Sequence, residues 1–100
     1  MKLKNQELEN LMVELANERY GSQPFRRRDL MKMTEQEVRK RGLWTPTDDG
    51  SVGSKSPGYK KIDFRFFELS RADTFVYEDK LGVWRLASPK QLSQCQTSNQ

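Results

Sequence analysis

The chain has 100 residues, room for one domain with a single small core. Hydrophobic residues make up 34% and charged residues 32%, yet two Trp, three Tyr and five Phe are too many for a disordered tail. The net charge is +4 with no His and one Cys, which removes the commonest general base, an internal disulfide and a cysteine-built zinc site.

The charge is uneven. Residues 1–20 hold three Lys/Arg against four Glu, a balance of −1, whereas residues 21–43 hold seven Lys/Arg against three acids, a balance of +4. A clustered positive patch suits a polyanion such as nucleic acid. The same pattern also describes a solvated helix face. Cys95 alone fits a reducing cytoplasm. No apolar run approaches the ~20 residues of a membrane helix, and the opening MKLKNQELEN lacks the apolar stretch of a secretory signal. The expectation is a cytoplasmic chain with no membrane partner.

The first predicted element is a helix from about Asn5 to Tyr20, ended by Gly21. Leu8, Leu11, Met12 and Leu15 recur at helical spacing, with Glu7, Glu9, Glu14 and Glu18 on other faces. Its acidic outside suits core support rather than phosphate contact. Ser22-Gln23-Pro24 reads as a turn, with Pro24 at the first position of a second helix running from Phe25 to Arg41. Leu30 or Met31, Thr34 and Val38 form its narrow apolar stripe, broadened by Met33, and Gly42 ends it. Arg39, Lys40 and Arg41 sit where the helix dipole favours cations. Arg26, Arg27 and Arg28 sit at the opposite end, where the dipole repels them, and so point more strongly to a partner.

Leu43 to Gly58 reads as a loop holding three of the six glycines and two of the four prolines. Long irregular connections of this kind are often functional. Ser51, Ser54, Lys55 and Ser56 offer donors of the type that bind phosphate oxygens. Trp44 divides between loop packing and nucleic-acid contact. Ser56 and Pro57 look like the N-cap and first residue of a third helix, which ends around Arg71 to Asp73. Tyr59, Ile62, Phe66 and Leu69 share one face; Lys60, Lys61, Phe64, Arg65 and Glu68 occupy the other. TFVYE and VWRLA then read as a hairpin with Gly82 in the turn. The polar residues 89–100 read as a flexible tail or linker, leaving residues 1–88 as the domain.

Three helices followed by a two-stranded hairpin give an α+β chain in the element order of a winged helix-turn-helix. There, one helix enters the major groove and the helix before it supports it. The expected contacts are Lys60, Lys61 and Arg65 from the third helix, and Lys80 with Arg85 from the wing. Arg26, Arg27, Arg28, Ser54, Lys55 and Ser56 are expected on phosphates.

RGLWT (41–45), SPGYKKIDFRFFEL (56–69) and GVWRL (82–86) resemble the winged-helix domains attached to bacterial restriction endonucleases. These are the HARE-HTH group, the N-terminal module of Mrr-type enzymes and winged helices fused to HNH nucleases. Glu78 and Asp79 in the wing and Glu68 in the third helix depart from a strongly cationic pattern. The resemblance implies a duplex-DNA reader beside a nuclease, fused or in trans, in a restriction-modification setting, and in some members sensing of modified cytosine. Phe64 is the candidate apolar contact for such a base; the alternative packs it under the long loop or against Trp44. Tyr77 and Trp84 read as core or wing residues.

Catalysis is not expected. Asp48 and Asp49 lack a third carboxylate or an activating Lys, and SVGSKS lacks the spacing of a phosphate-cradling loop. No metal and no cofactor are expected. Two other classes remain: a protein-interaction winged helix, or an RNA-binding module in which Trp44, Tyr59 or Phe64 stacks on unpaired bases.

Overall fold

The computed structural model of the chain describes residues 1–50, 56–78 and 82–88. Ser54, Lys55 and Lys80, all expected on nucleic acid, lie outside the described residues, as do Ser51, Asp79 and residues 89–100. The described residues form an α+β arrangement. Its elements are α1 (Asn5–Tyr20), β1 (Phe25–Arg26), α2 (Arg27–Lys40), α3 (Pro46–Asp49), α4 (Pro57–Arg71), β2 (Phe75–Tyr77) and β3 (Val83–Leu86).

Helix α1 has the predicted bounds. Glu7 accepts a hydrogen bond from the Lys4 backbone N–H at 2.8 Å, and Gly21 ends the helix at φ 58°. Its buried stripe is Leu8, Leu11, Met12 and Ala16, while Leu15 is half-buried at the edge. Helix α2 starts two residues later than expected. Pro24 does not open it; Phe25 and Arg26 after it are extended and pair with Trp84 and Val83 of β3. A residue before the helix that can reach a strand edge gains ladder bonds, and the buried Phe25 ring fixes it there. Leu30, Met31, Thr34 and Val38 are buried, and Thr34 Oγ1 donates to the Leu30 carbonyl at 2.8 Å.

The expected loop after Leu43 contains a short helix, α3. Thr45 N–H donates to Asp48 Oδ2 at 2.8 Å across its first turn. Helix α4 begins as predicted, with Ser56 Oγ accepting from Tyr59 N–H at 3.1 Å and Pro57 in the first turn. Gly58 lies where α3 and α4 meet. A Cβ there would stand 2.5 Å from the Trp44 ring and 2.7 Å from Asp48 Cβ, so only glycine allows the approach.

β1, β3 and β2 form an antiparallel sheet in that order. The core is one cluster of thirteen buried apolar residues drawn from α1, α2, α4 and the strands. Phe66 stacks on Phe75 at 5.0 Å and meets Trp84 edge-on at 5.1 Å; Phe25 meets Phe75 edge-on at 5.5 Å. Trp84 is half-buried on this network, while Tyr77 is exposed beside it. No helix among the described residues is long and apolar enough to cross a membrane.

Candidate nucleic-acid interface

Helix α4 organises the candidate site, and its turn geometry decides which side chains are available. Successive residues advance by about 100° around an α-helix. Gly58, Ile62, Phe66 and Leu69 are buried, so the opposite face carries Lys60, Phe64, Phe67 and Arg71. Lys61 and Arg65 each precede a buried residue and therefore stand on a flank.

That placement corrects two central expectations. Lys61 Nζ donates to the Leu3 carbonyl at 3.1 Å, and Arg65 Nη1 pairs with Glu9 Oε2 at 2.8 Å. The Arg65 side chain is only 11% exposed and Glu9 18%, and Arg65 Nε is buried without a hydrogen-bond partner among the described residues. Both cations are thus directed at α1 rather than outward. Their physical reason is proximity: α1 packs along this flank and brings the Glu9 carboxylate within reach, and the segment before it brings the Leu3 carbonyl. The signal was present in the spacing, since including Gly58 in the buried stripe moves its centre away from Tyr59 and onto Ile62.

The opposite flank of α4 faces the start of α2. Arg27 Nη2 pairs with Asp63 Oδ1, and the Arg27 guanidinium lies 4.9 Å from the centre of the Phe66 ring. Arg27 is therefore held by the protein. Arg26 and Arg28 are exposed and have no carboxylate partner among the described residues, and Lys60 is in the same state. Two adjoining surface clefts lie beside Arg26 and Arg28. One is lined by Arg26, Arg27, Arg28, Asp29 and Gly82; the other by Arg27, Arg28, Met31, Tyr59 and Asp63. The Arg27 backbone N–H donates to the Gly82 carbonyl at 3.0 Å, which ties the hairpin turn to the first residue of α2. The positive end of the α2 dipole points into the same region, so an anion there meets favourable potential from both sources.

The remaining expected residues divide by local partners. Arg85 pairs with Glu78 at 2.6 Å across the hairpin. Ser56 is occupied as the α4 N-cap. Tyr59 is half-buried against the core. Trp44 packs on Gly58, donates from Nε1 to Asp49 Oδ1 at 2.9 Å, and has the Arg39 guanidinium 4.4 Å above its ring. Phe64 does not pack under the loop or on Trp44. It is 53% exposed and stacks on Phe67, itself 49% exposed, with ring centres 6.1 Å apart. Phe67 and Arg71 were missed in the sequence, although the 4-3-4 spacing from Lys60 opposite the buried stripe contains them.

The acidic pair of the loop is structural. Asp48 is buried, and its Oδ2 lies 2.6 Å from the Met1 amino group and 2.9 Å from Thr45 Oγ1. Burial pushes its carboxyl up, but hydrogen bonds from the amino group and from Thr45 outweigh this and hold it below its ordinary value of 3.8. The Trp44 indole, then Arg39, hold the Asp49 carboxyl below that value as well. Arg39 also pairs with Glu35 at 2.9 Å and Arg41 with Glu37 at 2.7 Å, so these two cations of the α2 end are locally engaged. Among the described residues no group of three His, Cys, Asp or Glu side chains is placed to hold a metal ion.

Comparison of the chain with protein-family models, with curated proteins and with solved structures found no match. The site therefore rests on its own geometry.

Proposed function

We propose that this chain is a winged helix-turn-helix module that binds double-stranded DNA and performs no chemistry of its own. In this reading α2 and α4 are the paired helices, α3 lies in the turn between them, and β2–β3 is the wing. A nuclease, fused or in trans, is the partner that the sequence resemblance implies. The observation that carries the reading is the set of exposed cations without carboxylate partners among the described residues, Arg26, Arg28 and Lys60. Arg26 and Arg28 line the clefts joining the α2 start, α4 and the hairpin turn, and Lys60 stands on the outer face of α4. Phosphate contacts of this kind supply most of the affinity of a duplex binder and make it depend on salt.

Replacing Arg26, Arg28 and Lys60 together by Ala tests the assignment. Duplex affinity should fall, and the log–log salt slope should become shallower by up to about 0.9 for each phosphate no longer neutralised. Lys61→Ala should leave that slope unchanged. An unaltered slope in the triple variant removes the assignment.

One observation favours a second reading, a protein-interaction module. Phe64 and Phe67 present apolar rings on the outer face of α4. A protein partner would bind with weak salt dependence, whereas a duplex would not.

A further inference from the structure

The outer face of α4 sets apolar rings between cations. Lys60, Phe64, Phe67 and Arg71 follow one another at intervals of four, three and four, and so form one stripe. The two phenyl rings are about half exposed, in a domain that buries Phe25, Phe66 and Phe75 almost completely. Large apolar groups left outside side by side mark a surface that is used. The rings are also held in place. Their centres lie 6.1 Å apart, and the Arg65 guanidinium, itself fixed by Glu9, lies 4.7 Å from the centre of the Phe64 ring. A partner therefore meets a surface that it need not order first, which lowers the entropic cost of docking. Both ends of the stripe are cationic. Lys60 is exposed without a carboxylate partner among the described residues. Arg71 is 67% exposed, and its contact with Glu68 at 3.5 Å is a surface pair of the kind that holds a side chain weakly.

We propose that this stripe docks an amphipathic helix of a partner protein, one that presents two aliphatic side chains between two carboxylates. The inference rests on the protein-interaction reading of this face and names the chemistry of the partner; the clefts lined by Arg26 and Arg28 lie outside it. Charge decides among the occupants. A second copy of the chain, packed α4 on α4 about a two-fold axis, has two ways to pair the rings. Run antiparallel, Lys60 of each copy faces Arg71 of the other; run parallel, each cation faces its own equivalent. Cation opposes cation in both, so the stripe is not complementary to itself. A phosphate backbone would satisfy Lys60 and Arg71 but gain nothing from the rings between them. A helix with apolar groups at the centre and acids at both ends matches all four side chains over a length of about 16 Å. The intervals of four, three and four read the same in either direction, so the match holds whichever way the partner helix runs.

The test uses three synthetic helical peptides that differ at two positions only. Each carries two leucines three residues apart, flanked four residues away on both sides by glutamate, glutamine or lysine. Binding of each labelled peptide to the whole chain is followed by fluorescence anisotropy. The glutamate peptide should bind most tightly and the lysine peptide least. Phe64→Ala/Phe67→Ala should weaken the glutamate peptide about thirtyfold, the scale of an interface hot spot, while Phe64→Leu/Phe67→Leu should keep most of the affinity. Lys60→Glu/Arg71→Glu should reverse the order of the glutamate and lysine peptides. Lys32→Glu/Lys40→Glu changes the net charge equally on exposed positions of α2 and should leave the order as it was. A general attraction set by net charge would instead respond to both variants alike. Equal affinity for the three peptides, lost in the Ala variant, would overturn the acidic partner and leave the protein-interaction reading standing. Binding of none of them would overturn both. Self-association of the unaltered chain in sedimentation, abolished in the Ala variant, would give the face to a second copy. Duplex affinity lost in that variant would give it to nucleic acid, and either result overturns the inference.

Discussion

The two flanks of α4 differ in the sign of the residues they carry and in what lies opposite them. On the flank toward α1, Lys61 and Arg65 are tied to the Leu3 carbonyl and to Glu9. On the flank toward α2, Asp63 engages Arg27 alone, and Arg28 next to it has no such partner among the described residues. Glu9 of α1 and the Leu3 carbonyl before it account for the contrast, because both lie along one flank only. A count of cations therefore overstates the positive surface, and the neighbour across the helix decides which of them face outward.

The contrast can be broken most severely at the buried Phe66 ring that lies between the flanks. Phe66→Ala should cost about 3–5 kcal/mol, since Phe75, Trp84 and Arg27 all rest on that ring. Denaturant unfolding measures it, and a cost below ~1 kcal/mol would show that the flanks do not depend on a common support. Gly58→Ala acts only where α3 meets α4. Crowding against Trp44 and Asp48 should destabilise by about 1–3 kcal/mol, visible as a lowered Tm.

A pair of substitutions sharpens the comparison directly. Arg65→Ala should cost roughly 1.5 kcal/mol by leaving Glu9 half-buried and unpaired, whereas Arg28→Ala should stay within about 0.5 kcal/mol. Equal losses in the two variants would erase the distinction between the flanks. The smallest effect is confined to acid. Asp48 is held below its ordinary value, so its contribution is present above about pH 3.8 and fades as pH falls through the lower folded value. The stability gap between the unaltered chain and Asp48→Asn should therefore narrow below pH 4. Chemical unfolding across that range would show a constant gap if Asp48 were not involved.

Much of the architecture was legible because its signals are local. The periodicity of Leu8, Leu11 and Met12, the Ser56-Pro57 start and the alternation around Val76 and Trp84 each need only a few neighbouring residues. β1 was not legible. Two residues carry no periodicity, and Phe25–Arg26 is a strand only because β3 lies beside it. The α3 turn was hidden for a related reason, as its Asp48 is set by Thr45 and by an amino group 47 positions away. The site was read less well than the fold. Helical spacing identified which face of α4 is apolar, but the fate of Lys61 and Arg65 depended on Leu3 and Glu9, more than fifty residues distant. Arg26 and Arg28 were legible because their charge conflicts with the helix end on which they stand.

The placement of the two indoles has a practical consequence. Trp84 pairs with Phe25 next to Arg26, and its ring meets Phe66 and Tyr77 within about 5 Å, whereas Trp44 is enclosed by Gly58, Asp49 and Arg39. Each therefore reports on a separate neighbourhood. An emission change that survives Trp44→Phe locates a bound molecule at the sheet around Trp84, so the chain needs no attached dye to reveal where it is touched.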